Sequence, residues 1–266
     1  MPDAYHDGVR LSYEVSGPSD AETVVFVEGL GYGRWMWRWQ RSALADYETI
    51  LWDNRGTGDS DEPAGPYTVP AMADDLAAVL DDAGVDTAHV VGASMGGMIA
   101  QQFAVDHERA DSLTLLCTTP GGPDAVPTPE ATLDRIFDVP EAYDERERRR
   151  YKMEPAMTDA FRSDHEELIE RIVDWRLDSD ASEQALAWQA AAVDAFDVHD
   201  RIDEIRVPTL VVHGTADRVV PVENGRLLAD ELPDAEYHEL DGAPHLLFIE
   251  RADAVNEYLR GFLTDV

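Results

Sequence analysis

With 266 residues, 44% of them hydrophobic, the chain is long enough to bury one sizeable core and too apolar to be a disordered tail protein. Its 55 acidic residues outnumber 21 basic ones for a formal net charge of −34, which argues against nucleic acid as a partner, because phosphate contacts depend on lysine and arginine clusters. No stretch approaches the ~18 consecutive apolar residues of a membrane helix, and the N-terminus MPDAYHDGVR lacks a basic start followed by an apolar run, so a cytoplasmic protein without a membrane partner is expected.

In chain order, His6–Gly8 followed by Val9–Val15 reads as a hairpin turning at Asp7-Gly8. Thr23–Val27 is a continuous apolar run of the kind a buried parallel strand requires. A glycine-rich loop, Gly29–Gly33, precedes an aromatic helix start at Trp35–Trp39, and a second strand over Tyr47–Trp52 ends in DNRGTG. Met72, Leu76, Val79 and Leu80 line one face of a helix over Pro70–Ala83. Ala88–Val91 is a strand running into GASMGG, and a helix continues through Met98–Phe103. Further strands are expected at Ser112–Cys117, Val207–Val212 and Glu236–Leu240. The single cysteine, Cys117, cannot form an internal disulfide and reads as a buried thiol in the run SLTLLC. Strands alternating with helices imply β-α-β units and a mostly parallel, doubly wound α/β sheet.

The alternation stops between about Thr118 and Ile205, where helical patterns such as His165–Leu177 and Glu183–Phe196 take over. This predicts one α/β core, residues 1–117 and 206–266, with a helical cap inserted at 118–205. No repeat or low-complexity segment interrupts it.

Gly92-x-Ser94-x-Gly96 carries the strongest chemical signal. A serine hydroxyl is a weak nucleophile and must be held out from the backbone where a base can reach it. A sharp strand-to-helix turn does this, and glycines flank it because larger side chains do not fit. Of eight histidines, His245 alone lies in a loop between the final strand and the final helix, at a strand's carboxyl end and on the same sheet edge as Ser94. His213, beside Gly214, is the alternative base; the chain order Ser…Asp…His favours His245. Asp217, just beyond the Val207–Val212 strand, is the expected orienting acid, with Asp124 as a substitute. The oxyanion donors are expected to be the backbone N–H groups of Met95 and Leu30.

Together these residues resemble the α/β-hydrolase family from Arg10 to Leu263: the elbow GASMGG, the strand-end run DNRGTGDS, the acid segment VVHGTADRVVP, and GAPH before a last amphipathic helix. Within it the chain is most similar to small capped esterases, 3-oxoadipate enol-lactonase-like lactonases and cofactor-free haloperoxidases. The resemblance implies a serine hydrolase that cleaves a small, partly apolar ester or lactone. A perhydrolase reaction on the same triad, and a ligand receptor on the hydrolase scaffold, are the alternatives. Relatives usually carry His-Gly at the start of the oxyanion loop, where this chain has Glu28-Gly29. A carboxylate there can brace the loop by accepting N–H bonds, or oppose the oxyanion if it lies too close.

Trp35, Trp37, Trp39, Trp175 and Trp188 divide between core and an apolar acyl pocket, with Trp35, Trp188 and Leu246 expected at the pocket. Arg55 reads as a strand-end residue tying down a glycine turn in preference to a substrate contact. The cluster Arg146, Arg148, Arg149, Arg150 and Lys152 (the only lysine) holds i,i+4 partners Asp144 and Glu145, so a solvated helix face is favoured over a substrate-binding patch. No Cys/His spacing implies a metal, no G-x-G-x-x-G follows the first parallel strand, and no cofactor is expected. The acid, spread along the whole chain, resembles the composition of halophile proteins, whose self-repulsion is screened in molar salt.

Overall fold

The computed structural model describes residues 1–266. Eight strands form one sheet in the order β1-β2-β4-β3-β5-β6-β7-β8. Asp3–His6 (β1) and Val9–Ser16 (β2) form the antiparallel hairpin, and β2 pairs antiparallel with Glu48–Trp52 (β4). From β4 onward, Thr23–Val27 (β3), Ala88–Ala93 (β5), Ala110–Leu116 (β6), Thr209–Gly214 (β7) and Ala235–Leu240 (β8) run parallel. The period-2 alternation of these strands divides the core between two faces. Val25, Val27, Val90, Leu113 and Val211 join one buried cluster, and Val24, Phe26, Val91, Leu116 and Val212 join the other. Both faces are therefore covered, which is why the inner strands are rich in apolar residues on both sides.

The helices close these layers. Val69–Ala83 (α2) starts at the Thr68 N-cap and ends at Gly84 in the left-handed region, and it packs with Met95–His107 (α3) on the first face. The second face is covered by the short Arg38–Ala43 (α1) and the last helix, Ala252–Asp265 (α11), whose Val255, Leu259, Phe262 and Leu263 are buried. Between β6 and β7 the chain leaves the sheet for five α-helices: Glu130–Phe137 (α4), Glu145–Met153 (α5), Asp159–Asp164 (α6), Glu166–Ser179 (α7) and Glu183–Asp194 (α8). Glu223–Glu231 (α9) and Leu247–Glu250 (α10) complete the order. No helix is long and apolar enough to cross a membrane.

The connection from β3 leads to β4 on one side, whereas β5 lies against β3 on the other. The loops leaving the carboxyl ends of β3 and β5 therefore diverge, and such a switch point opens the crevice in which α/β sheets bind ligands.

Candidate active site

Ser94 occupies the turn between β5 and α3 at φ 55°, ψ −122°, a region that non-glycine residues rarely adopt. The glycines around it are required by close approach. A side chain at Gly96 would collide with the carbonyl oxygens of Val27 and Glu28, and one at Gly92 with the Gly96 backbone. The helix thus presses directly on the sheet and holds Ser94 at the mouth of the crevice. No side chain caps α3, so the N–H of Met95 stands among the unsatisfied donors of its first turn. The N–H of Leu30 makes no hydrogen bond within the protein, while its neighbour Gly31 is fixed from both sides. Gly31 N–H donates to Gln189 Oε1 at 2.8 Å, and its carbonyl accepts from Ala181 N at 2.9 Å.

Asp217 and His245 meet across the ends of β7 and β8. His245 Nδ1 lies 2.8 Å from Asp217 Oδ2, and Asp217 Oδ1 accepts the N–H groups of Val219 and Val220 at 2.8 and 2.9 Å. Burial opposes ionisation of Asp217, but His245 and His213 outweigh it and hold the carboxyl well below the usual carboxylate range. An ionised Asp217 only accepts, so Nδ1 of His245 carries the donated proton and Nε2 is left as the acceptor. His245 and Ser94 line the same cavity, of about 90 Å³. They make no hydrogen bond to each other here; such contacts are commonly loose until a substrate tightens them.

His213 stands behind this pair. It is fully buried, its Nε2 lies 2.9 Å from the Val220 carbonyl and 3.4 Å from Asp217, and it does not reach the cavity. Asp124 is exposed beside His199, away from the imidazole. Cys117, His213 and Asp217 bring one donor atom each within 4.8 Å of one another. Burial, with Asp217 alongside, pushes the Cys117 thiol well up, and the Asp217 oxygens are engaged, so the three make a poor ligand set.

Several expectations change in three dimensions. Leu246 lines the cavity, but none of the five tryptophans does; Tyr32 and Met36 take the aromatic segment's place there. Trp35 turns to Trp175, with ring centroids 5.7 Å apart, and donates to Asp180. Trp37 packs between Phe26 and Phe248, and Trp188 packs against Tyr67. Arg55 is buried in a two-bonded pair with Asp75 on α2 at 2.6 and 2.7 Å, and so ties the strand end to a helix. Gln189, which no sequence motif marks, is the buried side chain that joins Gly31 to the Arg55 carbonyl. Its signal is a lone amide on the otherwise apolar AWQAAA face of α8.

Glu28 does not brace the loop. Its carboxyl group is fully buried, neither oxygen has a hydrogen-bond partner, and it lines no part of the cavity. Burial and the neighbouring Asp53 push its pKa well up, with Arg34 opposing. Its charged form is thus disfavoured, and it accepts no loop N–H bond. Above about pH 4.3 the unfolded chain loses the proton that the folded chain keeps, so Glu28 lowers stability as pH rises toward its folded-state value. The Tm of Glu28→Gln, neutral at every pH, is expected to gain on the native Tm as pH rises from 4.5 to 8, as thermal melts at the two pH values would show. Its kcat should stay within about twofold; a large loss of kcat would restore the bracing role.

Comparison with known proteins agrees with this architecture. A family model described as alpha/beta hydrolase fold matches residues 22–252. The chain is 32% identical over 279 residues to a protein assigned as the carbamate hydrolase RutD in Azorhizobium caulinodans, covering 100% of this chain and 99% of that one. It is 26% identical to 3-oxoadipate enol-lactonase 1 of Acinetobacter baylyi, over 97% of this chain and 95% of the other. Among solved structures, the enol-lactonase from Burkholderia xenovorans LB400 superposes with a TM-score of 0.87 at 29% identity, covering 99% of this chain and 100% of that one.

Proposed function

Because the chain belongs to the alpha/beta hydrolase fold family, we propose that it is a serine hydrolase that cleaves a small carboxylic ester or lactone through an acyl-enzyme on Ser94. The observation that carries this reading is a single cavity lined by a strained Ser94 and by His245, whose Nδ1 is fixed on a buried, ionised Asp217.

Ser94 Oγ attacks the carbonyl carbon while Nε2 of His245 takes the hydroxyl proton. Asp217 holds the tautomer that leaves Nε2 free and stabilises the imidazolium as it forms. The N–H groups of Leu30 and Met95 receive the negative charge on the carbonyl oxygen, and Gln189, from the helical insertion, keeps the Leu30 loop in place. His245 then returns the proton to the departing alcohol oxygen. In the second half, His245 activates a water that attacks the acyl carbon, and Ser94 Oγ leaves with the proton. The insertion at 118–205 acts as the cap over this site, since Ile136, Arg149, Lys152 and Leu186 line the cavity from it. The names of the relatives, a carbamate hydrolase and an enol-lactonase, support acyl transfer to water as the reaction class without naming this chain's substrate.

The test is turnover of chromogenic esters of graded acyl length, and of lactones, in molar KCl. Acid and alcohol are expected one for one from each ester, and one hydroxy acid from each lactone, over many cycles. A single slow event per molecule would instead mark a ligand receptor, and acid-and-peroxide dependence a perhydrolase.

A further inference from the structure

The five basic residues of α5 do not share one fate. Arg146 pairs with Glu170 and Asp174 of α7, Arg150 with Glu166 and Glu170 of the same helix, and Arg148 turns outward to Glu183 and the Tyr143 carbonyl. Asp144 is spent as the N-cap of α5, so its expected pair with Arg148 does not form. Arg149 and Lys152, one helical turn apart on the opposite side, line the cavity that holds Ser94.

That cavity is unusual for a chain of charge −34. Its lining contains three cations, Arg149, Lys152 and Arg176, against one carboxylate, Asp180. Arg176 and Asp180 satisfy each other at 2.7 Å, both buried. Arg149 has only the exposed Glu145 at 4.0 Å, and its Nε is buried without a hydrogen-bond partner. Lys152 makes neither an ion pair nor a hydrogen bond, and burial with Arg149 alongside lowers its pKa. An ammonium in that situation is the kind an incoming carboxylate stabilises.

Ser94 also borders a second, larger cavity of about 600 Å³ whose lining is mostly apolar, with Met98, Val126, Leu133, Phe137 and Phe196 among its residues. The nucleophile thus stands between two mostly apolar chambers, a small one with cations on its wall and a larger one with none.

We infer that Arg149 and Lys152 form an anion subsite, and that the substrate of this hydrolase carries a carboxylate on one side of the scissile bond and an apolar group on the other. The inference rests on the serine-hydrolase reading. It adds the substrate's charge and polarity to that reading.

Two matched ester pairs test it at one fixed KCl concentration. The first compares 4-nitrophenyl hydrogen glutarate with 4-nitrophenyl valerate, which places the anion on the acyl side. The second compares the 4-phenylbutyrate esters of 3-hydroxypropionate and of 1-propanol, which places it on the alcohol side. In at least one pair the anionic ester is expected to have a kcat/KM at least tenfold above its neutral partner. That preference should fall tenfold or more, mainly through KM, in Lys152→Met and in Arg149→Met. The preference is a ratio measured on one preparation, so loss of folded protein cancels. Arg148→Met, on the outward face of the same helix, should leave the ratio unchanged.

Equilibrium binding of glutarate, followed by calorimetry, separates the two claims. Binding that weakens tenfold in Lys152→Met, with no ester cleaved, would keep the subsite and remove the hydrolase reading. Ester cleavage without an anionic preference in either pair, or with a preference unmoved by both variants, would overturn the subsite and leave the hydrolase reading intact.

Discussion

Ser94→Ala and His245→Ala are each expected to lower kcat by about 10⁴-fold or more, and the double variant to lose little beyond the larger single loss. The non-additivity follows from the shared step: without the hydroxyl, the imidazole has no proton to take, and without the imidazole the hydroxyl stays a weak nucleophile. Asp217→Asn should cost somewhat less. The amide can still occupy the position between His245 and the N–H groups of Val219 and Val220, but as a donor it favours the wrong imidazole tautomer. His213 cannot take over, because its Nε2 points to the Val220 carbonyl and Asp217 separates it from the cavity. Full activity in His245→Ala with loss in His213→Ala would reverse the assignment of the base. Because the Asp217 carboxyl is held well below the ordinary carboxylate range, its charge persists through mildly acid conditions. Loss of the Asp217 charge should therefore not limit activity in that range.

The second large effect is expected from salt. With 55 acidic and 21 basic residues, an excess of 34 formal negative charges remains, however completely the arginines pair. The screening length is about 10 Å at 0.1 M and about 3 Å at 1 M, so mutual repulsion that opposes the compact state at low salt is mostly removed in molar KCl. The Tm should rise by about 10 °C or more over that range, equivalent to a few kcal/mol at roughly 2–4 °C per kcal/mol. Sucrose at matched osmolality, which acts by exclusion and not by screening, should give a much smaller rise. A flat or falling Tm in KCl would end the halophile-like reading of the composition without touching the chemistry. The ion pairs within the cavity wall, such as Arg176–Asp180, are buried and should respond far less than the surface.

What the sequence made legible follows from what local pattern encodes. The strands β3, β5, β6 and β7 are largely buried on both faces, so each carries a short apolar stretch, such as VVFV, VV, LL and LVV, whatever its neighbours are. The turn at Ser94 was readable because its glycines answer a steric demand that any helix pressed on a strand imposes. The insertion was less readable. α5 has the sequence ERERRRYKM, with no apolar period, and its order comes from a capping box and from acidic residues on α7 about twenty positions later. The division of its cations into paired and cavity-facing sets is therefore a tertiary fact. The tryptophans failed for a related reason. Residues 34–37 form a tight 3-10 turn that sends Trp35 and Trp37 into packing with Trp175, Phe26 and Phe248 and leaves Met36 at the cavity. Glu28 could be seen to be unusual, but a carboxyl buried without any partner depends on its neighbours and leaves no mark in the string.

The central claim is that Ser94 is the activated nucleophile, and covalent labelling by an organophosphonate tests it most directly. Attack on phosphorus uses the same hydroxyl and the same base as attack on an ester carbonyl, and it stops at a stable adduct. Peptide mapping by mass spectrometry after reaction in molar KCl should find one adduct per chain, on Ser94, abolished in Ser94→Ala and slowed severely in His245→Ala. An adduct on any other residue, or none on folded protein, would contradict the account.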